Sequence, residues 1–348
     1  MKKDKFEETN SFRIEVESLE LILKKIDFSN LNGKSILITG ASGLMGVNII
    51  STLKLVTQKI KNITIYPIIF SEPNIFLAEL FSFSGITYFR GDITDEQFCK
   101  SLPNADYIIH AAGYAQPLRF MADPLKTFKL NTSSTILLFE KLLPNGKFLY
   151  ISSSEVYHGL EGKKFSETEI GNTNTTHPRA CYIEGKKGGE TICNAYRQIG
   201  VDAKSIRLSL VYGPGTRKDD KRVLSAFIVK ALNGEIKLLD GGEAKRTYCY
   251  ITDANELLWK ILFWGKEPLY NVGGHSNITI IELAELIGGF LKVPIILPDK
   301  SETISGAPKD VQLDLSLIEN EFNKREFVEL HQGLENTINW YRNLEQYF

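Results

Sequence analysis

Apolar residues run without a break through Ser35-Ile36-Leu37-Ile38-Thr39, the pattern of a strand covered on both faces. Comparable short runs recur at about 63–70, 87–90, 106–110, 147–152 and 203–210, and helical spacing fills about 44–58, 74–83, 124–142 and 182–199. Strand and helix in alternation predict an α/β fold built on a doubly wound parallel sheet. Such sheets hold ligands at the carboxyl ends of their strands. Ahead of the first strand, Phe12, Ile14, Val16, Leu19, Leu21, Ile22, Leu23 and Ile26 predict a helical extension over residues 1–33.

The rhythm breaks after about residue 208. Tyr212-Gly213-Pro214-Gly215 makes a loop, a charged stretch from Arg217 to Arg222 precedes a helix, and Asn233-Gly234 turns into another strand. Lys300 to Pro308 is polar and loop-like, and an amphipathic helix from Leu334 to Tyr347 closes the chain. The expected organisation is a sheet domain over 34–207, with strands near 247–272 returning to it, and a smaller C-terminal α/β substrate-binding lobe over 208–348.

Composition narrows the class. The chain has 348 residues, 43% hydrophobic and 24% charged, enough for a large core in two lobes. A formal net charge of −1 without a long basic run argues against nucleic acid or a membrane surface as partner. Cys99, Cys181, Cys193 and Cys249 show no CxxC pairing, so reduced thiols are expected. The five histidines are scattered and no metal site is expected. No apolar run reaches the roughly 18 residues of a membrane span. The opening MKKDKFEETN has no apolar signal core, which predicts a cytoplasmic protein.

Chemistry enters at two places. Gly40-Ala41-Ser42-Gly43-Leu44-Met45-Gly46 joins the first strand to the first sheet helix. The first glycine suits a tight turn, the second a close approach to a pyrophosphate, the third close helix–sheet packing. With backbone N–H groups of the helix start aimed at negative charge, this reads as a dinucleotide-binding Rossmann turn. The second strand should end in an acid for the adenosine ribose; it ends Phe70-Ser71-Glu72-Pro73. NAD is the expected cofactor, through a shifted Glu72, with NADP the alternative. The second place is Tyr182-Ile183-Glu184-Gly185-Lys186: residues four apart share a helix face, and an ammonium there is expected to lower the phenol's pKa for proton transfer.

These pieces together resemble the extended short-chain dehydrogenase/reductase family, whose members modify nucleotide sugars, from about Ser35 to Trp340. The resemblance is carried by GASGLMG (40–46), GDITD (91–95), HAAG (110–113), Asn131 on a helix, SSSEVY (152–157), YIEGK (182–186), YGPG (212–215) and NVGG (271–274). Within the family, AQPLRFMADPLKTFKLNT (115–132) and HPRACYIEGKKGGETICNAY (177–196) are most similar to the UDP-glucuronate decarboxylases, or UDP-xylose synthases. The resemblance implies that Tyr182 takes the sugar O4 proton, Lys186 lowers its pKa and holds the nicotinamide ribose, and Ser153 hydrogen-bonds O4. It puts Glu155 at the decarboxylase and dehydratase glutamate position, Ser154 beside it, and Arg179 and Arg246 on the substrate. Gly40, Ser42, Gly43, Leu44, Met45, Gly46, Asp92, Ile93, Ala111, Ala112 and Asn131 would line the cofactor site. Two departures stand out: Leu210 occupies the place of the usual diphosphate-binding asparagine three residues after Arg207, and His158 that of a glycine.

The implied activity is a nucleotide-sugar decarboxylase that works through oxidation at C4. A 4,6-dehydratase using Glu155 as the C5 base, a 4-epimerase, and a non-enzymatic nucleotide-binding scaffold are the alternatives. The resemblance further implies a homodimer through helices near 124–142 and 182–199, acting on a nucleotide-diphosphate sugar.

Overall fold

Alternate side chains of the first strand part company in the folded chain. Ile36 and Ile38 enter one apolar core, Leu37 enters another, and none of the three is exposed. That is the behaviour of a strand sandwiched between helical layers, each buried side chain contributing roughly 1.5–3 kcal/mol. The computed structural model describes residues 16–162, 164–298 and 312–345. Phe12 and Ile14, the whole 300–308 loop, and Tyr347 lie outside the described residues.

The central sheet consists of β1 (Ser35–Thr39), β2 (Thr64–Ile69), β3 (Phe89–Arg90), β4 (Ala105–His110), β5 (Leu142–Ser153), β6 (Asp202–Leu208) and β7 (Leu269–Val272), in the order β7-β6-β5-β4-β1-β2-β3. Every pairing in it is parallel. The chain winds outward from β1 to β3, then returns to β4 on the other side of β1. The gap above β1 and β4 is therefore the switch point where such sheets take ligands. Helices Leu44–Lys59 and Ile251–Trp264 cover one face; Ser133–Phe139 and Ala180–Gln198 cover the other.

β7 joins the sheet from the C-terminal half, whereas Tyr248–Tyr250 does not: it pairs with Leu210–Tyr212 in a separate two-stranded unit. Helices Val223–Leu232, Ile280–Leu291 and Leu330–Glu345 pack around that part of the molecule. The helix expected over 124–142 is instead two, Pro124–Asn131 and Ser133–Phe139, broken at Thr132 (φ −116°, ψ −80°). Its last residue belongs to β5, because Leu142 pairs with Ala105 ahead of a bulge.

The described part of the N-terminal extension is a helix, Val16–Lys25. It rests Leu19 and Ile22 on the layer formed by Leu44–Lys59 and Ile251–Trp264.

Candidate active site

The glycine turn is shaped by contacts that exclude a side chain. Gly40 has φ +69°, and a Cβ there would lie 2.6 Å from the Ala111 carbonyl at the end of β4. A Cβ on Gly46 would lie 2.4 Å from the Gly40 carbonyl. Both must be glycine for β1, β4 and the helix to meet. Gly43 caps that helix without a side-chain hydrogen bond, so its first-turn N–H groups, at Leu44 and Met45, are open to an anion. Asn48 then ties the turn to the other lobe, donating from Nδ2 to the carbonyls of Leu44 (3.0 Å) and Pro214 (2.9 Å).

A buried histidine braces this corner. His110 Nε2 lies 3.0 Å from the Leu130 carbonyl, which can only accept, so Nε2 carries the proton and Nδ1 accepts from Thr39 Oγ1 at 2.7 Å. Thr39 Oγ1 in turn accepts from the Ala112 N–H at 3.1 Å. Burial, with the Lys186 charge, holds His110 down at about 3. It is a neutral strut joining β1, β4 and the helix that ends at Asn131.

Just after β3, Asp92 bonds Lys126 Nζ at 2.6 Å and accepts from the backbone N–H (2.9 Å) and hydroxyl (2.7 Å) of Thr94. Burial raises Asp92, but Lys126 and Thr94 outweigh it and keep the carboxyl below its ordinary value. Lys126 also sits 4.3 Å above the Phe70 ring. Ile93 is buried behind Asp92, its carbonyl accepting from Ser134 at 2.8 Å. Glu72, the acid offset from the end of β2, is paired with Arg90 of β3 at 2.5 Å.

Tyr182 and Lys186 lie on the helix Ala180–Gln198, facing the carboxyl end of β5. Lys186 is 5% exposed and donates to the Ile151 carbonyl at 2.7 Å. It stands 5.0 Å from the Tyr150 ring centre and 5.7 Å from that of Tyr182. The Tyr150 hydroxyl donates to Asn131 Oδ1 at 2.8 Å, which brings Asn131 into the same cluster. A Cβ placed on Gly113 would come 3.5 Å from Lys186 Nζ. Ser153 ends β5 and accepts from the Glu155 N–H at 3.2 Å, opening the short turn Ser154–Tyr157.

The electrostatics differ from the expectation that the lysine lowers the phenol. Burial raises Tyr182 to about 12, against which the Ser153 hydroxyl pulls downward. Burial likewise lowers Lys186 to about 7, opposed by Glu190. The protein's own groups thus leave the phenol protonated, and added positive charge beside it is what the site requires to ionise it.

Arg179 also departs from its expected role. Its guanidinium is engaged by Glu155, Nε to Oε2 at 3.0 Å and Nη2 to Oε1, so the fork expected on a substrate carboxylate is closed on a protein carboxylate. Arg179 further lies over the Phe120 ring at 5.3 Å. Phe120 stacks on Tyr182 with centroids 4.6 Å apart and planes 10° from parallel. Arg246 belongs to the other lobe, on the strand Lys245–Arg246 that pairs with Ile278–Thr279. His158 follows the Ser154–Tyr157 turn, near Thr173 and the ring of His177, as a loop residue would.

Three residues at the site were not singled out by sequence reasoning. Phe120 lies within the 115–132 stretch but carries no chemistry of its own. Glu190 could have been found, because it is the next position after Tyr182 and Lys186 on one helix face. Arg222, whose charge reaches Tyr182, ends the charged stretch from Arg217 that precedes a helix; it is chelated by Asp220, Nη2 to Oδ2 at 2.6 Å.

The pattern of the NAD dependent epimerase/dehydratase family matches residues 36–273, and the chain belongs to that family. UDP-glucuronic acid decarboxylase 6 of Arabidopsis thaliana is 29% identical over 302 residues, covering 86% of each chain. Among solved structures, the dTDP-glucose 4,6-dehydratase DesIV of Streptomyces venezuelae, with NAD bound, aligns with a TM-score of 0.78 at 21% identity, over 90% of this chain and 98% of its own. The UDP-glucose 4-epimerase of Thermotoga maritima, with UDP-glucose, gives 0.76 at 22% identity, over 89% and 99%. NAD is the family's cofactor, and the residues here could hold such a dinucleotide: the glycine cradle and the uncapped helix start offer backbone N–H donors, Lys186 an ammonium and Asp92 an acceptor carboxylate. Among the described residues no helix is long and apolar enough to cross a membrane.

Proposed function

We propose that the protein decarboxylates a UDP-glucuronate-type nucleotide sugar by transient oxidation at C4. The observation that carries this reading is the meeting of Ser153, Tyr182 and Lys186 at the end of β5 with the Glu155–Arg179 pair alongside. When bound, NAD supplies the two-electron acceptor that turns the C4 alcohol into a ketone and then gives the electrons back. Tyr182 takes the O4 proton as the ketone forms and returns it at the end, with Ser153 holding O4 in line. Lys186 donates toward the nicotinamide ribose and adds positive charge under the phenolate. The 4-ketone weakens the bond from C5 to its carboxylate; carbon dioxide leaves and C5 is protonated.

Glu155, held by Arg179, faces the sugar's C5 side, and we assign Arg179 to orienting Glu155 in place of gripping the substrate. Asp92 and Ile93 line the adenine pocket, Ala111 and Ala112 the nicotinamide pocket, and Ser42 the phosphates. Ser154 and Arg246 complete the substrate side. Incubation with UDP-glucuronate should release carbon dioxide and yield UDP-xylose. An absorbing 4-keto product from a hexose substrate would instead mark a dehydratase, and inversion at C4 an epimerase.

A homodimer fits the surface. Leu118, Leu125, Phe128 and Ile136 are 70%, 77%, 43% and 43% exposed on adjoining helical segments, and Ile199 is 76% exposed after the catalytic helix. A second copy of this face would cover that apolar patch. The four free thiols suit a reducing, cytoplasmic setting. Size-exclusion chromatography with light scattering should give twice the chain mass of 39.3 kDa.

A further inference from the structure

Glu190 lies one helical turn beyond Lys186, 5% exposed. Its Oε1 accepts from Ser152 Oγ at 2.5 Å and from Arg207 Nε at 3.0 Å, and its Oε2 accepts from Arg207 Nη2 at 2.8 Å. Arg207, on β6 and 3% exposed, spends Nη1 on the Tyr157 hydroxyl (2.8 Å) and the carbonyls of Glu167 (3.2 Å) and Glu169 (2.9 Å). Two consecutive residues of β5 are thereby pinned to two consecutive turns of the catalytic helix: Ile151 to Lys186, and Ser152 to Glu190. The next residue of the strand is Ser153.

We propose that Glu190 is a positioning residue for the reaction, fixing the height of Ser153 against Tyr182 and holding a counter-charge one helical turn from Lys186. This rests on the catalytic reading of Tyr182 and Lys186 given above. Among the described residues, the groups that act on Lys186 are Tyr182 and Glu190 from its own helix, Tyr150 from β5, His110 from β4 and the Ile151 carbonyl, and Glu190 is the carboxylate among them. A buried Arg–Glu pair serving packing alone would be replaceable without consequence for Lys186. The two roles therefore separate on the lysine's titration.

The test uses the full chain with NAD bound, labelled with ¹³Cε-lysine, the Lys186 resonance being assigned with Lys186→Arg. In Glu190→Gln the Lys186 titration midpoint should move down by about one unit, while Glu190→Asp restores most of it. With UDP-glucuronate, Glu190→Gln should lower kcat about 30-fold with KM within about two-fold, and Ser152→Ala should lower kcat about 10-fold without moving the lysine midpoint. An unmoved Lys186 midpoint in folded Glu190→Gln overturns the proposal, as does a change confined to KM. If Glu190→Gln fails to fold, Ser152→Ala decides, and an unchanged kcat there overturns it. Wild-type protein that leaves UDP-glucuronate untouched would defeat the decarboxylase reading; the NMR titration would still decide on Glu190.

Discussion

Two lysines of this molecule are buried almost equally and treated in opposite ways. Lys186 is 5% exposed and its nearest hydrogen-bond acceptor is a carbonyl; Lys324 is 3% exposed and donates to Asp253 at 2.7 Å and Glu256 at 2.9 Å. Burial pulls both downward. For Lys324 the two carboxylates outweigh it and hold the ammonium above its ordinary value, whereas Lys186 falls to about 7 with Glu190 in partial opposition. The cluster around Lys324 also takes in Lys25 of the N-terminal helix, 3.1 Å from Glu256, and Lys260 at 2.7 Å. It joins three distant stretches of chain. The difference teaches how the fold distributes charge: a lysine that holds the structure is neutralised, and the lysine proposed to serve chemistry is left close to changing its proton.

The largest effect that tests this contrast is expected from Tyr182→Phe. Turnover should fall about 10³-fold with the melting temperature unchanged, because only the hydroxyl proposed to carry the proton is removed. Full turnover in that variant would sink every enzymatic reading of the cleft. Next comes Lys324→Met, which leaves two buried carboxylates facing each other; about 3–5 kcal/mol of stability should go, a fall of roughly 10 °C or more by calorimetry.

Lys186→Met should show the mirror image. Turnover drops about 100-fold, while the melting temperature at pH 7 holds or rises, since charging this buried amine opposes folding. A large loss of stability there would erase the distinction between the two lysines.

The smallest effect is a pH slope. Burial raises Glu256, but Lys260 and Lys324 outweigh it and lower the carboxyl from 4.5 to about 2. The unfolded chain then binds more protons between those values, so this group's stabilisation is complete above about 4.5 and is lost as pH falls toward about 2. Chemical denaturation of wild type and Glu256→Gln across that range should show the stability gap between them closing with acid. A constant gap would place the stabilisation elsewhere.

Much of the scaffold can be read from local pattern. The unbroken apolar runs identify the parallel strands because both faces of each are covered, and Gly40 and Gly46 announce a backbone approach that no side chain permits. Tyr182 and Lys186 are legible for the same reason as Glu190, a shared helix face. What was not legible depends on contacts far apart in sequence. The partner of Arg179 is Glu155, 24 residues earlier, and nothing local indicates that the two charges meet each other. The break at Thr132 and the early start of β5 follow from the pairing of Leu142 with Ala105, a tertiary event that overrides helical spacing. The phenol's upward shift comes from burial by Phe120 and its surroundings, which spacing cannot reveal.

Phe120 has one more consequence. The ring that steadies Tyr182 sits on the short segment Pro117–Ala122, between Leu118 and Met121, which are exposed on the face proposed above for a second copy of the chain. Self-association would then act on the proton carrier through a single intervening residue. If the proposed dimer forms, specific activity per chain should decline on dilution below its dissociation constant, by mass action alone and with every bond inside the cleft intact.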